Sequence, residues 1–167
     1  KLKEKKMKEN FIRKIGSIIL IGCLALGLAA CEKSNASDYS TEFVSYEEVQ
    51  DEFVKTCESL NWPDGYEIPK EIDYEKENTQ YQKGFGNTRA SQYWEAAWEK
   101  EWLNTYKTDP QRAELALEEL EKAKTMLYMS ESKCDDATRE AFNKSLEQAK
   151  SGDPTGFEEN IKLNAPE

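Results

Sequence analysis

Apolar residues recur three or four positions apart over much of the chain, which is the spacing of one buried face of an α-helix. Ser45 and Glu48 form a capping-box pair that predicts the start of a first helix. The helix should end at Asn61, because the turn-forming sequence 62–65 follows. Its predicted inward positions are Tyr46, Val49, Phe53, Cys57 and Leu60.

The same signals predict further helices, and residues 66–86 follow neither a helical nor a strand period. Asp-Pro pairs at 109–110 and 153–154 have the cap-and-proline order that opens a helix. The predicted helices run from about residue 87 to 107, from 110 to 129, from 135 to 151, and briefly beyond 154. No segment alternates as a strand. We therefore predict a mainly α fold, an irregular bundle of four or five helices with a long loop between the first two, after a cleaved signal helix.

The N-terminal region has the order of a secretory signal peptide. Basic residues, among them Lys8, Arg13 and Lys14, precede an uncharged apolar run of 16 residues from Ile15 to Ala30. A permanent membrane span needs roughly 20 apolar residues, so cleavage is favoured over retention.

The end of this run, Leu28-Ala29-Ala30-Cys31, resembles the lipobox of bacterial lipoproteins. The resemblance implies that Cys31 receives a lipid and becomes the mature N-terminus. It also implies an extracytoplasmic protein of the cell envelope, whose contact with the membrane is its N-terminal lipid. The alternative is an ordinary small-residue cleavage site with an incidental cysteine. The expected organisation is a signal peptide over 1–30, a flexible tether over 31–42 and a single helical domain over 43–167.

Charge and composition exclude several functions. Without the leader, 16 basic and 31 acidic residues remain, a net charge near −15 that repels nucleic acid. The chain contains no histidine, which excludes Ser-His-Asp and Cys-His catalysis and His-containing zinc sites. We expect no metal and no cofactor.

Cysteine usage predicts one disulfide. Cys23 leaves with the signal and Cys31 is committed to lipid, so Cys57 and Cys134 remain in an oxidising compartment. The alternative is two independent buried thiols.

Aromatic residues are the most distinctive candidates for binding. Trp94, Trp98 and Trp102 stand four residues apart and share one broad helix face. Such a face favours the core, and it could otherwise be a platform for sugar rings or a partner's apolar side chains. With the aromatic residues of the preceding loop, the candidate ligand-binding set is Trp62, Tyr66, Tyr81, Phe85, Trp94, Trp98 and Trp102.

One carboxylate, Glu101, falls inside the apolar arc of that helix. Burial would raise the pKa of its carboxyl group, the condition of a general acid in glycoside cleavage. The favoured alternative is that it reaches solvent or pairs with Arg89 or Arg112. Glu95 and Glu99 lie further round the helix, where either would be only a remote second carboxylate.

Two weaker patterns also have ordinary explanations. Residues 83–89 combine two glycines and two cations near a helix start, which could attract an anion but fits a turn and cap. The acidic run 71–77 lacks the order of a calcium loop and fits a solvated charge run.

The leading functional hypothesis is a lipid-anchored extracytoplasmic binding or protein-interaction domain, with an envelope protein or a glycan as possible partner. The alternatives are a cell-wall or glycan-active enzyme that uses a glutamate in the aromatic face, and a purely structural envelope lipoprotein.

Overall fold

In a computed structural model, the described residues are 42–74 and 79–166, and these form a mainly helical bundle, which confirms the predicted fold class. The signal segment, the lipobox with Cys31 and the tether up to residue 41 lie outside the described residues. The five described helices are α1 (Tyr46–Ser59), α2 (Phe85–Thr105), α3 (Pro110–Glu121), α4 (Asp136–Lys150) and α5 (Thr155–Asn164).

Two of the predicted helix starts have the expected caps. The Ser45 hydroxyl accepts from the Glu48 backbone N–H at 3.2 Å, and the Ser45 N–H donates to the Glu48 carboxylate at 2.9 Å. Asp109 caps α3 by accepting from the Arg112 backbone N–H at 3.2 Å. These three bonds satisfy backbone donors at the start of a helix that have no partner within the helix.

The third helix is shorter than predicted. It ends at Glu121, and the chain continues in two 3₁₀ turns, Lys122–Thr125 and Leu127–Met129. A 3₁₀ turn repeats every three residues, so Ala123, Tyr128 and Met129 still reach the core and the apolar spacing resembles a continued helix.

A two-stranded antiparallel sheet, which the sequence did not predict, joins the segment before α1 to the end of the long loop that precedes α2. Strand β1 (Phe43–Val44) pairs with β2 (Tyr81–Gln82), with Phe43 opposite Gln82 and Val44 opposite Tyr81. Strands of two residues are too short to show an alternating pattern.

Side chains pack into two apolar clusters, and α2 contributes residues to both. The larger cluster sets the tryptophan face of α2 against the alanine stripe of α3 and against α4 and α5. The smaller one sets α1 against Tyr93 and Ala90 of α2. Helix α2 is therefore the central element of the bundle, with neighbours on several sides.

Two glycines allow close helix crossings. A Cβ atom on Gly86 would lie 2.3 Å from the Val49 carbonyl oxygen of α1. On Gly156 of α5 it would lie 2.7 Å from Ser145 Cα of α4. The second crossing places α5 where its side chains reach α2.

Among the described residues, no helix has the length and apolar character required to cross a bilayer.

Candidate functional site

The tryptophan face of α2 belongs to the core. Trp94, Trp98 and Trp102 are 1%, 4% and 2% exposed. The Trp98 indole N–H donates to the Asn61 carbonyl at 3.1 Å, and Trp102 meets Phe157 edge to face. The core interpretation is confirmed, because the small side chains of α3 leave room for the indoles. In this structure the three rings are not available as a platform for a ligand.

The remaining aromatic candidates do not form one surface. Trp62 stacks on Tyr66 with ring centroids 5.2 Å apart, and its indole N–H donates to the Cys57 carbonyl at 2.8 Å. Tyr81 is buried and packs on Phe85 at 5.2 Å in the smaller cluster. These contacts fasten the loop region to α1 and α2.

Glu101 is largely buried, with 11% of its side chain exposed, but a cation pairs with its carboxylate. Its carboxylate accepts from the Arg112 guanidinium at 2.7 Å, one of the pairings expected as the alternative. The ion pair joins α2 to the first turn of α3, where the Arg112 side chain is half exposed.

The buried carboxyl groups of α2 are instead those of Glu95 and Glu99. Glu99 has no exposed surface, and Glu95 lies one helical turn before it, on the same side of the helix. The side-chain amide of Asn160, on α5, donates to Glu95 Oε1 at 3.1 Å and to both oxygens of Glu99 at 3.0 and 2.9 Å. The Tyr128 hydroxyl donates to Glu95 Oε2 at 2.5 Å. We call these four residues the carboxyl network.

The carboxyl network holds at least one proton at neutral pH. Among the described residues, neither glutamate forms a salt bridge. Burial and the neighbouring Glu95 carboxyl raise the pKa of Glu99 to about 9, although Asn160 opposes the shift. Burial also raises the pKa of Glu95, against the hydrogen bonds from Tyr128 and Asn160. Two adjacent carboxylates without a cation cannot both ionise in a buried site.

Glu95, Tyr128 and Asn160 of the network line an open cleft of about 520 Å³. Small-molecule sites usually have volumes of about 300–1,000 Å³. Helices α2 and α5, the 3₁₀ segment and the start of α4 all contribute to its walls. Uncharged polar side chains are frequent there: Thr88, Gln92, Thr138 and Asn164.

The charged groups at the cleft are engaged with the protein. Arg89 binds both carboxylate oxygens of Asp73 at 2.9 and 2.5 Å and lies over the rings of Tyr74 and Tyr93. This ion pair lowers the pKa of Asp73. Lys133 donates to the Lys83 carbonyl at 2.9 Å. Asp135 accepts from the Thr138 backbone N–H at 2.7 Å as the cap of α4.

A carboxylate of the protein binds the glycine-rich start of α2. Glu52, from α1, accepts from the Gly86 backbone N–H at 3.1 Å. The position that would attract an anion is therefore occupied by the protein's own side chain, in agreement with the turn-and-cap interpretation.

The disulfide expected from the cysteine count is not present in the structure. Cys57 and Cys134 are both free thiols. Cys57 is buried in the smaller cluster, whereas Cys134 packs against the larger one, with its sulfur 3.8 Å from the Met129 sulfur.

Within residues 42–74 and 79–166, no group of three or more acidic or cysteine side chains is arranged to hold a metal ion. Of the acidic run, Asp73 is engaged by Arg89, and residues 75–78 lie outside the described part. No protein-family model, curated protein or solved structure matches this chain.

Sequence reasoning missed the carboxyl network as a site, although one signal for it exists. With Trp94 at 0° on a helical wheel, Glu95 and Glu99 fall at about 100° and 140°, next to Trp102 at about 80°. Residues 90–98 contain a single charged side chain, Glu95. A helix that is apolar on nearly every side is central, so its carboxyl groups become buried.

Proposed function

We propose that the protein is a lipid-anchored extracytoplasmic binding domain that holds a small polar ligand in the cleft above the carboxyl network. The lipobox supports the anchor at Cys31, and the polar stretch 31–42 supports a tether that separates the domain from the membrane. The binding surface is not the tryptophan face.

The observation that carries the proposal is the hydrogen-bonded floor of the cleft. A carboxyl, a phenol and an amide converge on one place through bonds of 2.5 to 3.1 Å. Side chains held in this way are positioned before a ligand arrives, which lowers the entropy lost on binding. A bundle that needed only a core would be more stable with apolar residues at these buried positions. The presence of the network therefore favours binding over a purely structural role.

Catalysis is the second candidate, and one observation favours it. A protonated carboxyl in a cleft is the group that donates a proton in glycoside cleavage. Glu95 is the residue that would do so here, in place of Glu101. Glu99 cannot be its partner at the sugar, because it has no exposed surface. The wild-type chain would release reducing ends from soluble glycan fragments and Glu95→Gln would not; a binding domain releases none.

The binding function is tested by NMR on the full ¹⁵N-labelled chain in a polyoxyethylene detergent, which contains no sugar. The probes are neutral sugars, dipeptides, polyamines and dicarboxylates, added singly. At least one should shift the side-chain amide signals of Gln92, Asn160 and Asn164. Gln50, whose amide donates to the Lys70 carbonyl at 2.8 Å outside the cleft, should not respond.

A cleft-filling variant provides the control. Thr138→Trp places an indole in the cleft from an exposed position, and Glu140→Trp places it about 200° round the same helix. Thr138→Trp should abolish the shifts and Glu140→Trp should preserve them. A panel that moves none of the three cleft amides, or shifts that survive Thr138→Trp, would overturn the proposal.

A further inference from the structure

The floor of the cleft offers hydrogen bonds to a ligand but no localised negative charge to pair with a cation. The Asn160 amide nitrogen has two hydrogens and faces three carboxyl oxygens of Glu95 and Glu99. No cation of the described residues pairs with either carboxyl. Because the amide has too few hydrogens for the three oxygens, a proton shared by the two carboxyl groups must provide the remaining hydrogen and neutralise one negative charge. The network is an assembly of donors and acceptors, and a cationic ligand would meet at most one diffuse negative charge there.

The walls offer no unengaged positive charge to an anion. The Arg89 guanidinium is committed to the Asp73 carboxylate in a two-point contact and to the rings of Tyr74 and Tyr93. The Lys133 ammonium is committed to a backbone carbonyl. An anion would have to break one of these contacts, and it would also enter a protein of strongly negative charge.

Uncharged amide groups, by contrast, retain unused hydrogen-bonding capacity. Gln92 accepts from Arg89 at 3.3 Å through its oxygen, so its NH₂ group has no partner among the described residues. Asn164 donates to Asn160 at 2.8 Å, and its own oxygen accepts from no described residue. The two residues are exposed, on different helices, and line the same cleft.

An aromatic ring completes the set. Tyr74 lines the cleft and is 48% exposed, which is high for so large a ring. A tyrosine ring combines an apolar face with a polar end. A sugar ring has the complementary form, with C–H groups on its faces and hydroxyl groups around its edge.

We propose that the ligand of this cleft is an uncharged, hydroxyl-rich molecule of the neutral sugar class, bound above the Glu95–Tyr128 floor by the exposed amides of Gln92 and Asn164. The assignment rests on the proposed binding function and adds the ligand's chemical class to it.

Calorimetric titration of the full chain in a polyoxyethylene detergent tests the assignment with three probes of different charge. They are N,N′-diacetylchitobiose, which is neutral, putrescine, which is cationic, and citrate, which is anionic. The disaccharide should bind and the two ions should not. Gln92→Leu, at an exposed position, should weaken the disaccharide about tenfold through loss of one hydrogen bond. Thr138→Trp should abolish binding and Glu140→Trp should leave it unchanged.

The possible failures are distinguishable. Binding of putrescine or citrate that Thr138→Trp abolishes would overturn the sugar assignment and leave the binding function intact. Disaccharide binding that survives Thr138→Trp would place the sugar elsewhere and overturn the assignment. If none of the three binds, the sugar class is overturned, and the binding function falls with it only when the NMR panel also leaves the cleft amides unmoved.

Discussion

The side-chain amide of Asn160 on α5 donates to both carboxyl oxygens of Glu99 on α2, at 3.0 and 2.9 Å. Residues 61 positions apart in the sequence are thereby joined at a carboxyl group with no exposed surface. The contact links the last described helix to the central one, and it ties the protonation of Glu99 to the folded state.

Glu99 should make the stability of the protein fall as the pH rises. Its folded pKa of about 9 lies above the ordinary value of 4.5 for a glutamate, so the folded state holds a proton that the unfolded state has released. This contribution is complete below pH 4.5 and is lost progressively up to pH 9, by at most about 1.4 kcal/mol per pH unit for one proton. Urea unfolding between pH 5 and 9 measures it.

Glu99→Gln, which resembles the protonated acid, should flatten this dependence and be more stable than wild type at pH 8. The raised pKa of Glu95, the carboxyl group beside it, leaves part of the slope in the variant. Glu118→Gln, exposed on α3, should keep the wild-type slope. Equal slopes for wild type and Glu99→Gln would mean that Glu99 is ionised in the folded protein.

Trp98→Ala should destabilise the fold by about 3–5 kcal/mol, as large-to-small core substitutions do. The indole is 4% exposed, and its loss leaves a cavity against α3 and the Asn61 carbonyl without its donor. Thermal or urea unfolding provides the measurement. Leu163→Ala, at a 67% exposed position on α5, should change stability by less than about 0.5 kcal/mol. A Trp98→Ala variant with wild-type stability would be incompatible with this core.

Gly86→Ala should destabilise the protein by about 1–3 kcal/mol, the usual cost of overpacking. At an exposed helix position the same change would stabilise by up to about 1 kcal/mol, so the sign of the effect is diagnostic. The added methyl would meet backbone atoms of Val49 and Phe53 at 2.3 and 2.8 Å, which cannot move aside as a side chain can. A stabilised Gly86→Ala variant, measured by urea unfolding, would show that α1 and α2 are further apart.

Cys57 and Cys134 should both be free and should differ in reactivity. Burial raises the pKa of Cys57 to about 11, so little thiolate forms at pH 8, and access is closed. Burial also raises the pKa of Cys134, but this thiol is partly exposed on the cleft wall. Iodoacetamide followed by mass spectrometry should modify Cys134 first in the native protein. Both should react in the denatured, unreduced protein; a linked peptide pair there would contradict the two-thiol structure.

Cys31 should carry a diacylglyceryl group and be the mature N-terminus. This expectation comes from the lipobox resemblance at the end of the short apolar run. Mass spectrometry of the protein from bacterial membranes should find the acylated N-terminal peptide, and Cys31→Ala should remain unprocessed. Cleavage at another position, or an unmodified Cys31, would remove the anchor from the proposed function.

Local sequence was sufficient to predict the helical class, a bundle of four or five helices and most of the helix starts. Ser45, Asp109 and Asp135 cap helices because their side-chain oxygens reach backbone donors three residues on. The burial of Trp94, Trp98 and Trp102 was also predicted, since their four-residue spacing places them on one face. The expected signal and lipobox are patterns of the same local kind.

Only the tertiary structure decided which glutamate is buried and what surrounds it. A helical wheel places Glu101 inside the apolar arc, but Arg112 from α3 reaches it and provides a charge partner. Glu99 is buried because α5 closes over α2, in a position that the close crossing of α5 with α4 at Gly156 permits. Tyr128 and Asn160 come from distant segments, so their meeting with Glu95 depends on how helices pack, and no periodicity within one helix encodes that relation.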